Sequence, residues 1–393
     1  MISRAIEPIF TSLIKQFPVV TITGPRQSGK TTLCRMAFPD RQYVNLEDPS
    51  VRRFAVEDPR AFLKQYPDGA ILDEIQRVPD LLSYIHTIVD EKKSAGMYIL
   101  TGSQQIEVMN KISQSLAGRT ALLKLLPLSI TELLEVFDAK SIDKFLLTGF
   151  YPRIYDQALN PTRVYGDYFE TYVERDLRGL AAIKDLGLFE KFVKLCAGRV
   201  GQILNLHSLS NDVGISHTTA RSWMTILEAS YIVFLLPPYF RNISKRLIKT
   251  PKLYFHDVGL ASFLLGLESE SQVRRDPLRG NLFENMAVIE ALKFRFNAGK
   301  KSNLSFYRDS TGNEVDLILE YGRGLFPVEI KAGTTINEDF FKGLKSFAKV
   351  VSERPFGMGI IYGGESVETR GDTRIFPVGQ LGKMIKDVEE ARG

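Results

Sequence analysis

The stretch Thr21–Met36, TITGPRQSGKTTLCRM, follows an apolar run and precedes a helix-like one. Gly24, Gly29, Lys30 and Thr31 fall in the spacing G-x-x-x-x-G-K-[ST], which binds the phosphates of a nucleotide. Glycine lets backbone N–H groups turn toward phosphate with no Cβ in the way, and the following helix points its positive end at them. The expected cradle is Gly24, Pro25, Arg26, Gln27, Ser28, Gly29, Lys30, Thr31 and Thr32. Lys30 is expected to reach the β- and γ-phosphates and the Thr31 hydroxyl to ligate Mg²⁺, which makes ATP and Mg²⁺ the expected cofactors.

Around this loop, "FPVVTIT", "QYVNLED", "GAILDE" and "MYILTGS" read as short buried strands. Helical patterns lie between them. In "VPDLLSYIHTIVDEKK", Leu81, Leu82, Ile85, Ile88 and Val89 share one face. Alternating β and α elements imply an α/β domain with a parallel sheet covered on both sides. Asp73 ends the third strand, where it can hold Mg²⁺ through water. Glu74 follows and can polarise the water that attacks the γ-phosphate. Thr101 and Ser103 end the next strand, where a polar group can sense that phosphate. Arg119, after Gly118, suits the spread negative charge of a transition state, in its own site or a neighbour's; a plain surface arginine is the alternative.

The run "TGPRQSGKTTL…YVNLEDP…AILDEIQRVPDLL…YILTGSQQ…LAGRTALLKLLPLS" resembles prokaryotic AAA-type ATPases of the additional-strand class. In these an AAA domain is joined to a C-terminal domain of unknown function that looks nuclease-like. The resemblance covers nearly the whole chain, and "TGFYPRIY" and "YVERDLRGL" resemble the family's linker helices. It implies ATP hydrolysis and a ring or other homo-oligomer, with Walker A at Gly24–Thr31, Walker B at Asp73 and Glu74, and the "LAGR" arginine at Arg119.

Leu128 to Asp185 is almost all helical in pattern. After it, "HSLSNDVGISHTTARSWMTILEASYIVFLLPPY" reads as helix, tight turn at Gly214, second helix and hairpin, the shape of a winged helix-turn-helix. Thr218, Thr219, Arg221 and Ser222 are expected to face outward toward a DNA groove; a protein–protein or interdomain module is the alternative. The segment Arg241–Lys252, RNISKRLIKTPK, has no acid and sits where the wing belongs, with Lys245, Arg246 and Lys249 set for phosphates.

The last region reads as helix "NLFENMAVIEALKFRFN", strands "LSFYR", "NEVDLILE" and "LFPVEIK", helix "DFFKGLKSFAKVV" and a last strand "GMGIIY". Strand geometry puts Glu314 with Asp316 and Glu329 with Lys331 on shared faces. This αβββαβ order resembles the PD-(D/E)xK nuclease core. The resemblance implies a metal, Mg²⁺ or Mn²⁺, on Asp316 and Glu329 with Glu284 as an extra acid and Lys331 stabilising charge. A nuclease fold that has lost activity and a chance run of strand charges are the alternatives.

The expected domains are 1–127 (ATPase), 128–187 (helical linker or lid), 188–268 (winged helix) and 269–393 (nuclease-like). At 393 residues with 44% hydrophobic and 25% charged, a disordered chain is excluded. The 51 Lys and Arg against 46 Asp and Glu leave +5, too mild to argue for nucleic acid unless the charges cluster. Cys34 and Cys196 form neither a metal spacing nor a disulfide framework, which fits a reducing cytosol. Histidines 86, 207, 217 and 256 are scattered and read as structural. The amphipathic N-terminus lacks a signal-peptide core, and the most apolar stretch, Tyr231–Phe240, is too short to span a bilayer and holds Pro237 and Pro238. A soluble cytoplasmic protein is expected, ATP-driven and DNA-associated, with ATP gating DNA binding or cleavage. The rivals are an ATP-dependent interaction protein with an inactive C-terminal domain, and a protein-remodelling ATPase.

Overall fold

A computed structural model describes residues 2–103, 115–137, 141–174, 183, 185–239, 249–322, 324–351 and 355–390. The chain divides into two compact units. One is Met1–Leu128 with Ala229–Tyr231 and Arg295–Lys301; the other is Ser129–Glu228, Ile232–Phe294 and Ser302–Gly393.

The first unit is built on a five-stranded sheet, order β2-β3-β4-β1-β5. Its strands are β1 (Val19–Thr23), β2 (Tyr43–Asn45), β3 (Ala70–Asp73), β4 (Tyr98–Gly102) and β5 (Thr120–Lys124). All neighbouring pairs are parallel. Successive residues of the central strands enter opposite cores. Val19, Ala70, Leu72, Tyr98 and Leu100 join one cluster with Phe62, Leu81 and Ile85. Val20, Ile22, Ile71 and Ile99 join the other with Phe10, Leu33 and Cys34. This two-sided burial is why β1, β3 and β4 read as unbroken apolar runs rather than as alternating ones. The fifth strand has no unbroken apolar run to mark it in the sequence. Its burial alternates and Leu122 is exposed, as befits a strand at the edge.

In the second unit, short helices run from Ile130–Leu134 to Pro161–Tyr168, and Leu186–Ala197 follows. The helix pair Leu206–Val213 and His217–Ala229 turns at Gly214, whose φ of 91° lies in the left-handed region that glycine enters without strain. An antiparallel hairpin follows, β6 (Val233–Leu236) with β7 (Lys252–Phe255). Lys245 and Arg246, expected in the wing, lie outside the described residues. Lys249 is exposed, but Lys252 is buried, which corrects its placement on a basic wing.

The helix Arg279–Asn297 leads into a six-stranded mixed sheet, order β12-β13-β11-β10-β9-β8. Its strands are β8 (Leu304–Arg308), β9 (Glu314–Tyr321), β10 (Gly324–Lys331), β11 (Met358–Tyr362), β12 (Glu368–Arg370) and β13 (Thr373–Pro377). β9 and β10 are antiparallel, β10 and β11 parallel, with the helix Lys342–Val350 between β10 and β11. The expected αβββαβ order is present. β11 is not the last strand, however: β12, β13 and the helix Leu381–Glu390 follow it. Among the described residues no helix is long and apolar enough to cross a membrane.

Candidate functional site

Parallel strands end on the same edge, so the loop after β1, Asp73 at the end of β3 and Thr101 to Ser103 at the end of β4 converge there. The loop packs tightly. A Cβ on Gly24 would fall 2.1 Å from the Leu125 carbonyl oxygen, so only glycine fits. Gly29 caps the helix Lys30–Ala37 with no side chain on its N–H groups, which leaves that end open to an anion. Arg4, buried, donates to the Ser28 and Leu126 carbonyls, both at 2.7 Å, and so fixes the loop from behind. The sequence gives no local signal for this contact, because Arg4 lies far from the loop along the chain.

Lys30 is only 5% exposed and donates to the carbonyls of Gly24 (3.0 Å) and Pro25 (2.7 Å). Burial pushes its ammonium pKa down, and the Glu74 and Asp73 carboxylates oppose that push. The Ser28 hydroxyl beside it is buried and has no hydrogen-bond partner among the described residues. A buried cation on its own loop carbonyls and a spare hydroxyl are the donor set that phosphate oxygens require, so nucleotide fits.

Asp73 gathers three hydroxyls. Thr31 Oγ1 donates at 2.9 and 3.1 Å, Tyr43 at 2.7 Å, and Thr101 Oγ1 donates as well. Thr31 and Asp73 form the oxygen pair suited to Mg²⁺. Glu74 takes a left-handed φ of 58°, fixed by its N–H donating to Thr101 Oγ1 at 3.1 Å. Its carboxylate accepts from Ser103 Oγ at 3.0 Å and from the Gln76 amide. Sequence reasoning missed Tyr43 and Gln76; "YVNLED" and "DEIQ" carried them, but neither lies in the phosphate-loop pattern. Arg26 and Arg77 both pair with Glu47 at 3.3 Å on the rim.

Arg119 is elsewhere. Its carbonyl accepts from Val19 N–H at 3.2 Å, at the start of β1. The phosphate loop begins past the other end of that strand, roughly 15 Å away at about 3.3 Å per residue. The Arg119 guanidinium pairs with Asp90, Nη2 to Oδ2 at 2.7 Å. It does not join its own chain's site.

In the second unit, Asp316 and Glu329 come together, as expected from the strand registers. Asp316 accepts from Ile330 N–H at 2.8 Å and from Lys331 Nζ at 3.1 Å, and Lys331 also pairs with Glu329. Burial, helped by the Asp316 charge, pushes the Glu329 carboxyl up to about 9. Among the described residues, the only group of His, Cys, Asp and Glu spaced for one metal is Glu284, Glu314 and Asp316. This differs from the expected set: Glu314 takes the place of Glu329. Lys252 Nζ already bonds Glu284 at 2.7 Å and pairs with Glu314, while Tyr254 donates to Glu284 at 2.6 Å. The cluster's carboxylates are therefore already engaged by Lys252 and Lys331. Cys34 and Cys196 are free and buried.

The fold and the β1–β3–β4 edge define an AAA-type P-loop ATPase. The AAA domain family matches residues 16–134, a domain of unknown function (DUF8612) matches 139–271 and another (DUF4143) matches 279–381. The chain belongs to one family with uncharacterized proteins of Mycobacterium bovis and Mycobacterium tuberculosis. It is 30% identical to each over 323 residues, spanning 81% of this chain and 71% of theirs. An uncharacterized protein of Haemophilus influenzae is 24% identical over 310 residues, 70% of this chain and 74% of that one. Among solved structures, a Walker-type ATPase of Pyrococcus abyssi is similar at 15% identity and TM-score 0.46, over 66% of this chain and 94% of that one.

Proposed function

We propose that this chain hydrolyses ATP at the β1–β3–β4 edge and couples that step to DNA. The observation that carries the chemistry is the continuous hydrogen-bonded line Thr31–Asp73–Thr101–Glu74–Ser103 at the mouth of the loop. Lys30 exchanges loop carbonyls for phosphate oxygens. Thr31 and, through water, Asp73 would hold Mg²⁺, which would neutralise charge on the phosphates. Glu74 orients and polarises the attacking water, and Ser103 and Gln76 set the direction of its carboxylate.

DNA association is supported by the helix pair at Gly214. On its second helix Thr218, Arg221 and Ser222 are exposed and Thr219 is half-buried. The test is ATP turnover with and without duplex DNA. Stimulation that disappears in Glu74→Gln supports the proposal; turnover indifferent to DNA at every salt concentration returns the helix pair to a protein-contact role.

A second reading concerns the C-terminal sheet. The lysines seated on its carboxylates favour a domain that holds its shape without cutting DNA, so no metal-dependent cleavage is derived for it.

A further inference from the structure

Lys252 opens β7 and is 2% exposed. Its ammonium bonds Glu284 and Glu314, which together with Asp316 present oxygens within 4.8 Å of one another. A divalent cation on this cluster has to take the same oxygens. The same oxygens also carry other donors of the chain. Tyr254 holds Glu284 at 2.6 Å and Arg308 holds Glu314 at 2.9 Å. Lys331 is bonded to Asp316 and Glu329, and Gly343 lies so close that a Cβ there would fall 1.9 Å from Glu329 Oε1.

We propose that Lys252 is the resident cation of this carboxylate cluster: a tethered ammonium that excludes divalent metal and fastens the β6–β7 hairpin to the C-terminal sheet. It deepens the reading of that sheet as non-cutting. A dissolved metal must displace a cation supplied by the chain itself, which is always at hand. Removing one partner leaves a buried charge unpaired, so the hairpin and the sheet hold each other in place.

The test is Mn²⁺ uptake by the nucleotide-free full chain, read by electron paramagnetic resonance, in wild type, Asp316→Asn, Lys252→Met and the double variant. Wild type and Asp316→Asn should take up equal Mn²⁺. Lys252→Met should gain an extra site that the double variant lacks, and Mn²⁺ should raise its melting temperature but not that of wild type. Uptake by wild type that Asp316→Asn abolishes overturns the lock, as does a Lys252→Met chain that gains no Mn²⁺. The wild-type comparison needs no Lys252 variant, so it decides even if Lys252→Met does not fold. DNA cutting is read separately in the same samples: cutting by wild type defeats the non-cutting reading, whereas uptake without cutting defeats the lock alone.

Discussion

At the scale of the residue, Glu74 and Tyr43 make different predictions although both serve Asp73's edge of the sheet. Glu74→Gln keeps the shape of the side chain and loses the base. It should bind ATP with near-normal affinity while turnover falls by about 10²–10⁴-fold, the range for losing a positioned general base. A filter-binding assay beside a phosphate-release assay checks both halves. Tyr43 only steadies the aspartate, donating to it at 2.7 Å. Burial and the Asp73 contact push the Tyr43 hydroxyl pKa up, so it stays a donor at any working pH. Tyr43→Phe should therefore weaken apparent Mg²⁺ affinity by about 10–100-fold, as outer-shell losses do. Raising Mg²⁺ should then recover the rate; a rate that stays low at saturating Mg²⁺ assigns Tyr43 to the chemistry instead.

At the scale of the element, the turn between β8 and β9 offers a test of acid stability. Asp309 accepts from the Thr311 and Asn313 backbone N–H groups at 2.9 and 3.0 Å, and from their side chains at 2.7 and 3.0 Å. Burial opposes its charge, yet these donors hold its carboxyl well below the usual carboxylate range. A folded pKa below the unfolded one means the contribution is fully present above about pH 4 and is lost as pH falls toward the folded value. Between pH 7 and pH 3, wild type should lose more stability in urea titrations than Asp309→Ala does. Equal losses would show that the turn does not depend on the charge. The elements themselves were legible to different degrees. β1, β3 and β4 announced themselves because both faces are buried. The phosphate loop was legible because its glycines and lysine obey a fixed spacing. β5 was not, because an edge strand with an outward Leu122 has no unbroken apolar run. Lys252 was misread because its acids, Glu284 and Glu314, lie far along the chain, and a lysine among other cations looks like solvent-facing charge from the sequence alone.

At the scale of the whole molecule, Arg119 decides how many copies a working site needs. It sits at the far end of the strands from its own phosphate loop, held by Asp90. If Arg119 completes a site, that site belongs to a second copy. Arg119→Ala and Lys30→Ala should each be nearly inactive alone, while their mixture regains part of the wild-type rate, since a site with an intact loop then meets a copy with an intact arginine. No recovery in the mixture, together with wild-type turnover by Arg119→Ala, makes the Asp90 pair a surface contact and nothing more.

The Lys252–Glu284 bond also bears on how this chain can be cut and recombined. A graft of residues 279–381 alone, the stretch matched by the DUF4143 family, keeps Arg308 on Glu314 and Lys331 on Asp316 but leaves Glu284 without Lys252. A fragment ending before that stretch leaves Lys252 without Glu284 and Glu314. A fragment that begins before β7 should therefore melt higher than one that begins at residue 279.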